Sequence, residues 1–137
     1  MKLAFVVLLT IGFVAQAMAG KKPMNRVISS SEVKEIKCSG TEPFFGISGN
    51  PTKMKFTSPD NEKGKSYRMR GLTDALGVMA GNAMAMKSYD GRLFLSLLHK
   101  GLAGSICNDG MSDNEYDYHL IAIERNVTYY GCCSLVK

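Results

Sequence analysis

Four cysteines are the residues of this sequence with the most definite chemistry: Cys38, Cys107, Cys132 and Cys133. Four cysteines in a chain of this length predict two disulfide bonds if the chain reaches an oxidising compartment. Adjacent residues of a strand point to opposite faces, which disfavours a bond between Cys132 and Cys133. We therefore expect Cys38 to pair with one of these two and Cys107 with the other, in an order that the spacing leaves open. The chain lacks a Cys-x-x-Cys motif, which argues against thiol-redox chemistry.

The first motif, residues 38–45, reads Cys-Ser-Gly-Thr-Glu-Pro-Phe-Phe and combines a predicted turn with two aromatic side chains. Gly40 permits an unusual backbone turn, and Pro43 fixes the entry into a strand. Glu42, beside two aromatic residues, has two interpretations. It is either a partly desolvated acid suited to proton transfer or a structural residue that caps backbone N–H groups. The structural interpretation is favoured.

The second motif, residues 107–113, reads Cys-Asn-Asp-Gly-Met-Ser-Asp. Asp109-Gly110 is a turn pair, and Ser112 and Asp113 have side chains that cap backbone donors. If both disulfides end on Cys132-Cys133, the two motifs lie at the same end of the domain. The binding site predicted there comprises six residues: Glu42, Phe44, Phe45, Asp109, Ser112 and Asp113. The alternative is that the motifs only hold the disulfides.

Three other kinds of site were weighed against this one. A calcium site would use Asp109, Asp113, Glu115 and Asp117, but their spacing is not that of an EF-hand loop. A catalytic site would combine Ser112 with His119 and Asp113, but no nucleophile-elbow pattern surrounds the serine. A soft copper(I) site would use Met84, Met86 and also His99. Methionine is equally a flexible core filler, and that interpretation is favoured.

Short β-prone runs separated by turn signals predict the elements that position these residues. The run Leu93–Leu98 alternates, with Leu93, Leu95 and Leu97 on one face. Turns are predicted at 49–51, 59–65 and 125–126. Segment 72–87 fits a helix by its alanine and methionine content, or a bent strand or loop by its glycines. The pattern predicts an all-β fold, a small antiparallel β-barrel or sandwich of seven to eight strands, stabilised by disulfides.

The beginning of the chain has the three parts of a secretory signal peptide. Lys2 precedes an apolar run over residues 3–15, and Ala17-Met18-Ala19 offers small residues for cleavage. This run is too short to span a bilayer, so we expect no membrane span. The predicted organisation is a signal peptide at 1–19, a flexible lead-in at 20–31 and a single β-rich domain at 32–137.

The net charge of +5 at pH 7 is spread along the chain rather than gathered in a basic helix. Basic residues recur in the middle of the sequence: Lys53, Lys55, Lys63, Lys65, Arg68 and Arg70. A solvated surface is the favoured interpretation, with a weak attraction to acidic polymers or lipid head groups as the alternative. Nucleic-acid binding is not expected.

Together the motifs resemble a family of uncharacterised bacterial exported proteins and lipoproteins. The resemblance rests on Cys-x-Gly-x-Glu-Pro-Phe, then Cys-x-Asp-x-Met-Ser-Asp-x-x-Tyr, then Gly-Cys-Cys, spanning Cys38 to Cys133. The chain has Phe45 where that family tends to have tryptophan, and it lacks a lipobox cysteine. The resemblance implies export and a compact β-domain.

We therefore expect a non-catalytic binding module located in the periplasm or secreted. It would be envelope-associated or enzyme-inhibitor-like, act as a monomer, need no cofactor and recognise a protein or an envelope ligand. The alternative is a periplasmic copper- or metal-handling protein that uses Met84, Met86 and His99.

Overall fold

The computed structural model describes residues 27–111 and 113–137, so the predicted signal peptide and most of the predicted lead-in lie outside it. Residues 27–31 belong to the predicted lead-in. A short 3-10 turn, Ser30–Glu32, precedes the first strand, and the Ser30 hydroxyl donates to Asp74 Oδ2 at 2.7 Å. This part of the lead-in therefore contacts the domain.

The described residues form ten strands and one short helix. In chain order these are β1 (Glu35–Thr41), β2 (Phe44–Asn50), β3 (Lys53–Ser58), β4 (Asn61–Asp74), β5 (Ala83–Ser88), β6 (Leu93–His99), α1 (Lys100–Ala103), β7 (Cys107–Asn108), β8 (Glu115–Tyr116), β9 (Tyr118–Glu124) and β10 (Val127–Val136).

Eight of these strands close into an antiparallel barrel in the order β1-β10-β9-β6-β5-β4-β3-β2. Most neighbours are joined by short turns. The connection from β6 to β9 is longer and carries α1 with the small β7–β8 sheet. The predicted all-β antiparallel fold is confirmed, and of the two predicted architectures the structure is the barrel. Closure pairs β1 with β10 and so removes both sheet edges.

Alternation along the strands places one set of side chains inside the barrel. Leu93, Leu95 and Leu97 are fully buried, as the period of two predicts, while Phe94 and Leu98 are only half-buried. Met84 and Met86 on β5 lie in the same core. Burial of this apolar surface is the main force that stabilises the barrel.

One predicted turn and one predicted strand differ from the structure. Residues 63–65 were predicted as part of a turn, but β4 runs through them, with Gly64 at φ +73°. Pairing with β3 outweighs the local turn preference here. The β-prone run from Tyr116 to Glu124 predicts a single strand, whereas the chain breaks at Asp117 because Tyr116 pairs with Cys107 outside the barrel. The ambiguous segment 72–87 is the end of β4, a loop and β5, and not a helix.

Candidate functional site

Two disulfide bonds join the motifs, Cys38 to Cys133 and Cys107 to Cys132. Cys38 and Cys133 are directly opposite each other on β1 and β10, and both belong to the barrel core. Cys132, the next residue of β10, faces outward and holds the β6–β9 connection against the barrel wall. The predicted pairing of Cys38 and Cys107 with different members of Cys132-Cys133 is confirmed, and the structure decides the order.

Gly40 in the first motif lies within β1 and not in a turn, contrary to the sequence prediction. The close approach of neighbouring atoms is what requires glycine at this position. A Cβ atom there would lie 2.2 Å from Phe45 Cε1 and 2.6 Å from the Tyr130 carbonyl oxygen. Gly131 on β10 is equally crowded, with the Ser39 carbonyl oxygen 2.3 Å from the position of a Cβ. The ring of Phe45 thus covers two glycines on neighbouring strands.

The two phenylalanines of the first motif take opposite faces of β2. Phe45 is 6% exposed and packs against Tyr129 and Phe56, with ring centroids 5.0 and 6.2 Å away. Phe44 points outward and is 54% exposed. Phe44 is therefore available to a partner, whereas Phe45 is mainly a core residue. Glu42 is exposed in the β1–β2 turn. It is therefore not the partly desolvated acid of the proton-transfer interpretation.

Side chains within the second motif shape its loop. The Gly110 N–H donates to Asn108 Oδ1 at 2.7 Å, and the Met111 N–H donates to Asp109 Oδ1 at 3.0 Å. The Tyr116 hydroxyl donates to Asp109 Oδ2 at 2.9 Å. Asp109 therefore connects both halves of the loop. Asp113 is exposed on the same loop, and Ser112 lies outside the described residues.

The two motifs meet at an open, mostly apolar groove of about 450 Å³. Phe45 lies at the buried side of the groove, and Phe44 and Met111 are exposed along it. Pro59 and Glu62 reach the groove from the β3–β4 hairpin. Next to it, a smaller cavity of about 110 Å³ between β1 and the second motif is lined by Glu42, Asp109 and Tyr130, among others. The surface formed by Phe44, Phe45, Pro59, Glu62 and Met111 is called the motif groove below.

Four of the six predicted site residues line these two cavities: Glu42, Phe44, Phe45 and Asp109. Met111 was not predicted, although it belongs to the second motif, and its exposed fraction of 61% is the property that marks it. Pro59 and Glu62 were not predicted either. They lie far from both motifs in sequence, and only the pairing of β2 with β3 brings them close.

His119, the base of the catalytic interpretation, has contacts at both ring nitrogens. Nε2 lies 2.8 Å from the Ser105 carbonyl oxygen, and Nδ1 lies 2.7 Å from the Tyr130 hydroxyl. A carbonyl only accepts, so Nε2 donates to Ser105, and Nδ1 shares the second hydrogen bond with the Tyr130 hydroxyl. These bonds tie the β6–β9 connection to the barrel and give His119 a structural role.

The residues proposed as metal ligands make other contacts in the structure. Met84, Met86 and His99 are 2%, 3% and 7% exposed, and the methionines pack in the barrel core. Asp109 holds its own loop, and Asp117 forms an ion pair with Lys100 at 2.6 Å. Across residues 27–111 and 113–137, no group of three or more His, Cys, Asp or Glu side chains is arranged to hold a metal ion.

Comparison of the chain with protein-family models, with curated proteins and with solved structures found no match. None of the helices in the described part of the chain is long and apolar enough to cross a membrane.

Proposed function

We propose that this protein is an exported, non-catalytic binding module that holds a protein partner in the motif groove. The observation that carries the proposal is the juxtaposition of Phe44 and Met111, which are 54% and 61% exposed along one groove. Phe44 belongs to the barrel strand β2, and the Cys107–Cys132 disulfide holds the loop that carries Met111 against the barrel wall. A surface of exposed apolar side chains beside polar ones is typical of a protein-binding site.

The groove is suited to binding because its apolar residues are held on constrained segments. Fully burying a side chain the size of phenylalanine or methionine contributes about 1.5–3 kcal/mol, so burying the exposed halves contributes about 1 kcal/mol each. Phe44 lies in a hydrogen-bonded strand, and Met111 lies in a loop fixed by Asp109 and a disulfide. Little conformational freedom is then lost on binding, which favours affinity.

Charge around the groove indicates the chemistry of the partner. Glu62 lines the groove, Glu42 lines the adjoining cavity, and Asp113 is exposed on the loop of the second motif. The matching partner is a protein that presents an apolar side chain flanked by lysine or arginine. An envelope protein or a secreted enzyme with such a loop fits this description.

Location outside the cytoplasm is part of the proposal. Two disulfides in a small domain are compatible with an oxidising compartment, and the residues at 1–19 have the pattern of a cleaved signal peptide. We propose a periplasmic or secreted monomer. Intact mass of the protein recovered from the exported fraction should correspond to a chain that begins at Gly20. A product that retains Met1 would contradict export.

Metal handling is the weaker proposal, because its three residues are buried in the interior of the barrel. Titration of the exported protein with copper(I) distinguishes metal handling from partner binding in the motif groove. Tight binding that disappears when both Met84 and Met86 are replaced by leucine would favour the metal-handling function.

Retention of a partner from an envelope extract, compared between matched variants, tests the groove. The groove variant carries Phe44→Ala and Met111→Ala. The control carries Val127→Ala and Val136→Ala, which remove side chains that are 50% and 45% exposed elsewhere on the barrel. A protein retained by the wild type and the control, but lost with the groove variant, supports the proposal once direct titration reproduces the difference. Equal retention by the groove variant would refute it.

A further inference from the structure

The outer surface of three neighbouring strands carries five exposed basic side chains, called the basic face below: Lys53 and Lys55 on β3, Arg68 and Arg70 on β4, and Lys87 on β5. The residues between them on each strand point into the core, so alternation places all five on one side of the sheet. Lys53 is directly opposite Arg68. The β4–β5 ladder shifts register so that Arg70 and Gly71 lie opposite Lys87.

An aromatic ring holds two of these charges close together. The guanidinium carbons of Arg68 and Arg70 lie 4.7 and 5.1 Å from the ring centroid of Tyr89. The Tyr89 backbone N–H donates to the Arg68 carbonyl oxygen at 2.9 Å, which fixes the ring beside the strand. Tyr89 itself is 53% exposed. Two cations on one ring repel each other, and an anion placed between them would relieve this repulsion.

In the described part of the chain, the carboxylates that form ion pairs form them with other cations. The ion pairs there join Glu35 with Lys37, Asp117 with Lys100, Glu124 with Arg125, and Glu32 with Lys137. None of these pairs includes a cation of the basic face. Asp90 follows Tyr89 in the chain, but its Oδ1 accepts from the Ser88 hydroxyl at 2.6 Å and from the Arg92 N–H at 3.0 Å. Asp90 keeps its negative charge while it accepts these bonds, so the five cations of the basic face outnumber this one neighbouring carboxylate and the face is net positive.

The loop that joins β4 to β5, residues 75–82, exposes three large apolar side chains. Leu76 is 100%, Met79 75% and Val78 37% exposed. The loop is fixed at its base, where the Gly81 N–H donates to Asp74 Oδ1 at 2.6 Å and the Ala75 N–H donates to the Ala83 carbonyl oxygen at 2.8 Å. The loop thus displays apolar side chains at the end of the same two strands that carry Arg68, Arg70 and Lys87.

We propose that the basic face and the 75–82 loop dock the protein on the surface of an anionic phospholipid bilayer. The five cations would contact lipid phosphates, and Leu76 and Met79 would enter the boundary between head groups and acyl chains. Tyr89 has the amphipathic ring that suits this boundary. Surface binding of this kind depends on buried apolar area together with attraction to anionic lipids. The 75–82 loop supplies the apolar side chains and the basic face supplies the charge, and the loop joins two of the three strands of that face.

The exposed apolar loop decides between a bilayer and a soluble polyanion as the occupant. A soluble polyphosphate would neutralise the five cations, but it has no apolar phase to receive Leu76 and Met79. A bilayer satisfies both features at once. This surface shares no residue with the motif groove, which is formed by Phe44, Phe45, Pro59, Glu62 and Met111. The two proposals can therefore succeed or fail independently.

The test measures co-sedimentation of the exported form with lipid vesicles. Its N-terminus is first checked by mass, so that the apolar run at residues 3–15 does not itself bind lipid. Vesicles of phosphatidylcholine alone are compared with vesicles that also contain phosphatidylglycerol. Binding should require the anionic lipid and should weaken between about 0.01 M and about 0.15 M salt, as the Debye length falls from about 30 to about 8 Å.

Variants locate the binding surface. Since each basic residue near an anionic surface contributes about fivefold to partitioning, Arg68→Gln with Arg70→Gln should weaken binding about 25-fold. The control, Lys37→Gln with Lys137→Gln, removes the same number of charges elsewhere, on β1 and just after β10, and should change binding far less. Leu76→Ser with Met79→Ser should weaken binding at both salt concentrations and leave its salt dependence unchanged.

Several results would overturn the proposal. One is equal binding of the wild type to neutral and anionic vesicles, or binding to neither. A second is an equal loss in the control and the Arg68/Arg70 variant, which would reduce the effect to net charge. A third is binding of soluble polyphosphate through Arg68 and Arg70 with no sedimentation on vesicles, which would assign the basic face to a soluble anion.

Discussion

Removing the two disulfides one at a time should weaken the protein to different extents. The Cys107–Cys132 bond closes a segment of 25 residues, whereas the Cys38–Cys133 bond closes one of 95 residues. The chain entropy that a cross-link removes from the unfolded state corresponds to about 3.5 kcal/mol for the shorter loop and about 4.7 kcal/mol for the longer one. We therefore compare Cys107→Ala/Cys132→Ala with Cys38→Ala/Cys133→Ala.

Native-state effects widen this difference. Cys38 and Cys133 belong to the barrel core, so alanine at both positions also leaves unfilled volume there. Cys107 and Cys132 are buried too, but they lie between the barrel wall and the β7–β8 segment, which regains motion once it is freed and can relax around the lost volume. The loss for Cys107→Ala/Cys132→Ala should therefore be at most about 3.5 kcal/mol, and that for Cys38→Ala/Cys133→Ala at least about 4.7 kcal/mol.

Urea-induced unfolding of the two variants and the wild type under non-reducing conditions measures both free energies. Limited proteolysis then shows where the native state has loosened. The variant without Cys107–Cys132 should be cut first within residues 105–117, while the barrel strands stay protected. If this variant loses more stability than the one without Cys38–Cys133, or if its loop stays uncut, the assignment of the two bonds to separate roles is incorrect.

Three further predictions concern single residues. Replacing Gly40 by alanine should lower the unfolding free energy by about 1–3 kcal/mol, because the new Cβ meets Phe45 and a backbone carbonyl; an unchanged urea midpoint would contradict this. Replacing Met84 by leucine should lower it by less than about 1.5 kcal/mol, because volume is conserved in the core; a larger loss would argue against simple packing. Burial lowers the pKa of His99 below its ordinary value of 6.5, and the charge of Asp117 partly offsets this shift. As the pH falls below 6.5, the unfolded chain therefore binds a proton before the folded protein does. The free energy of unfolding should then decrease until the pH reaches the folded-state pKa. His99→Asn keeps an acceptor for the Gly101 N–H and should flatten this dependence in unfolding measured between about pH 7 and about pH 5, whereas an unaltered slope would place the titration elsewhere.

Local periodicity was enough to predict much of the barrel. Alternation over Leu93–Leu98 predicts which side chains face inward, because successive strand residues point to opposite faces whatever the strand pairs with. The same rule predicts that the adjacent cysteines of β10 face opposite ways and form separate bonds. Frequent turn signals predict antiparallel hairpins and so the fold class. These features depend on residues that are close in sequence.

The choice between barrel and sandwich, the order of the disulfides and the composition of the motif groove depended on the tertiary structure. The pairing of β1 with β10 closes the barrel, and the register of that pair places Cys38 opposite Cys133 and not Cys132. Strand pairing also puts Pro59 and Glu62 beside Phe44, and it extends β4 through Gly64. Phe44 and Phe45 show the limit of the sequence: it predicts that they face opposite ways, but only the register of β2 with its neighbours decides which one enters the core. The physical reason is that a register shift of one residue exchanges the two faces of a strand, and register is decided by contacts between distant segments.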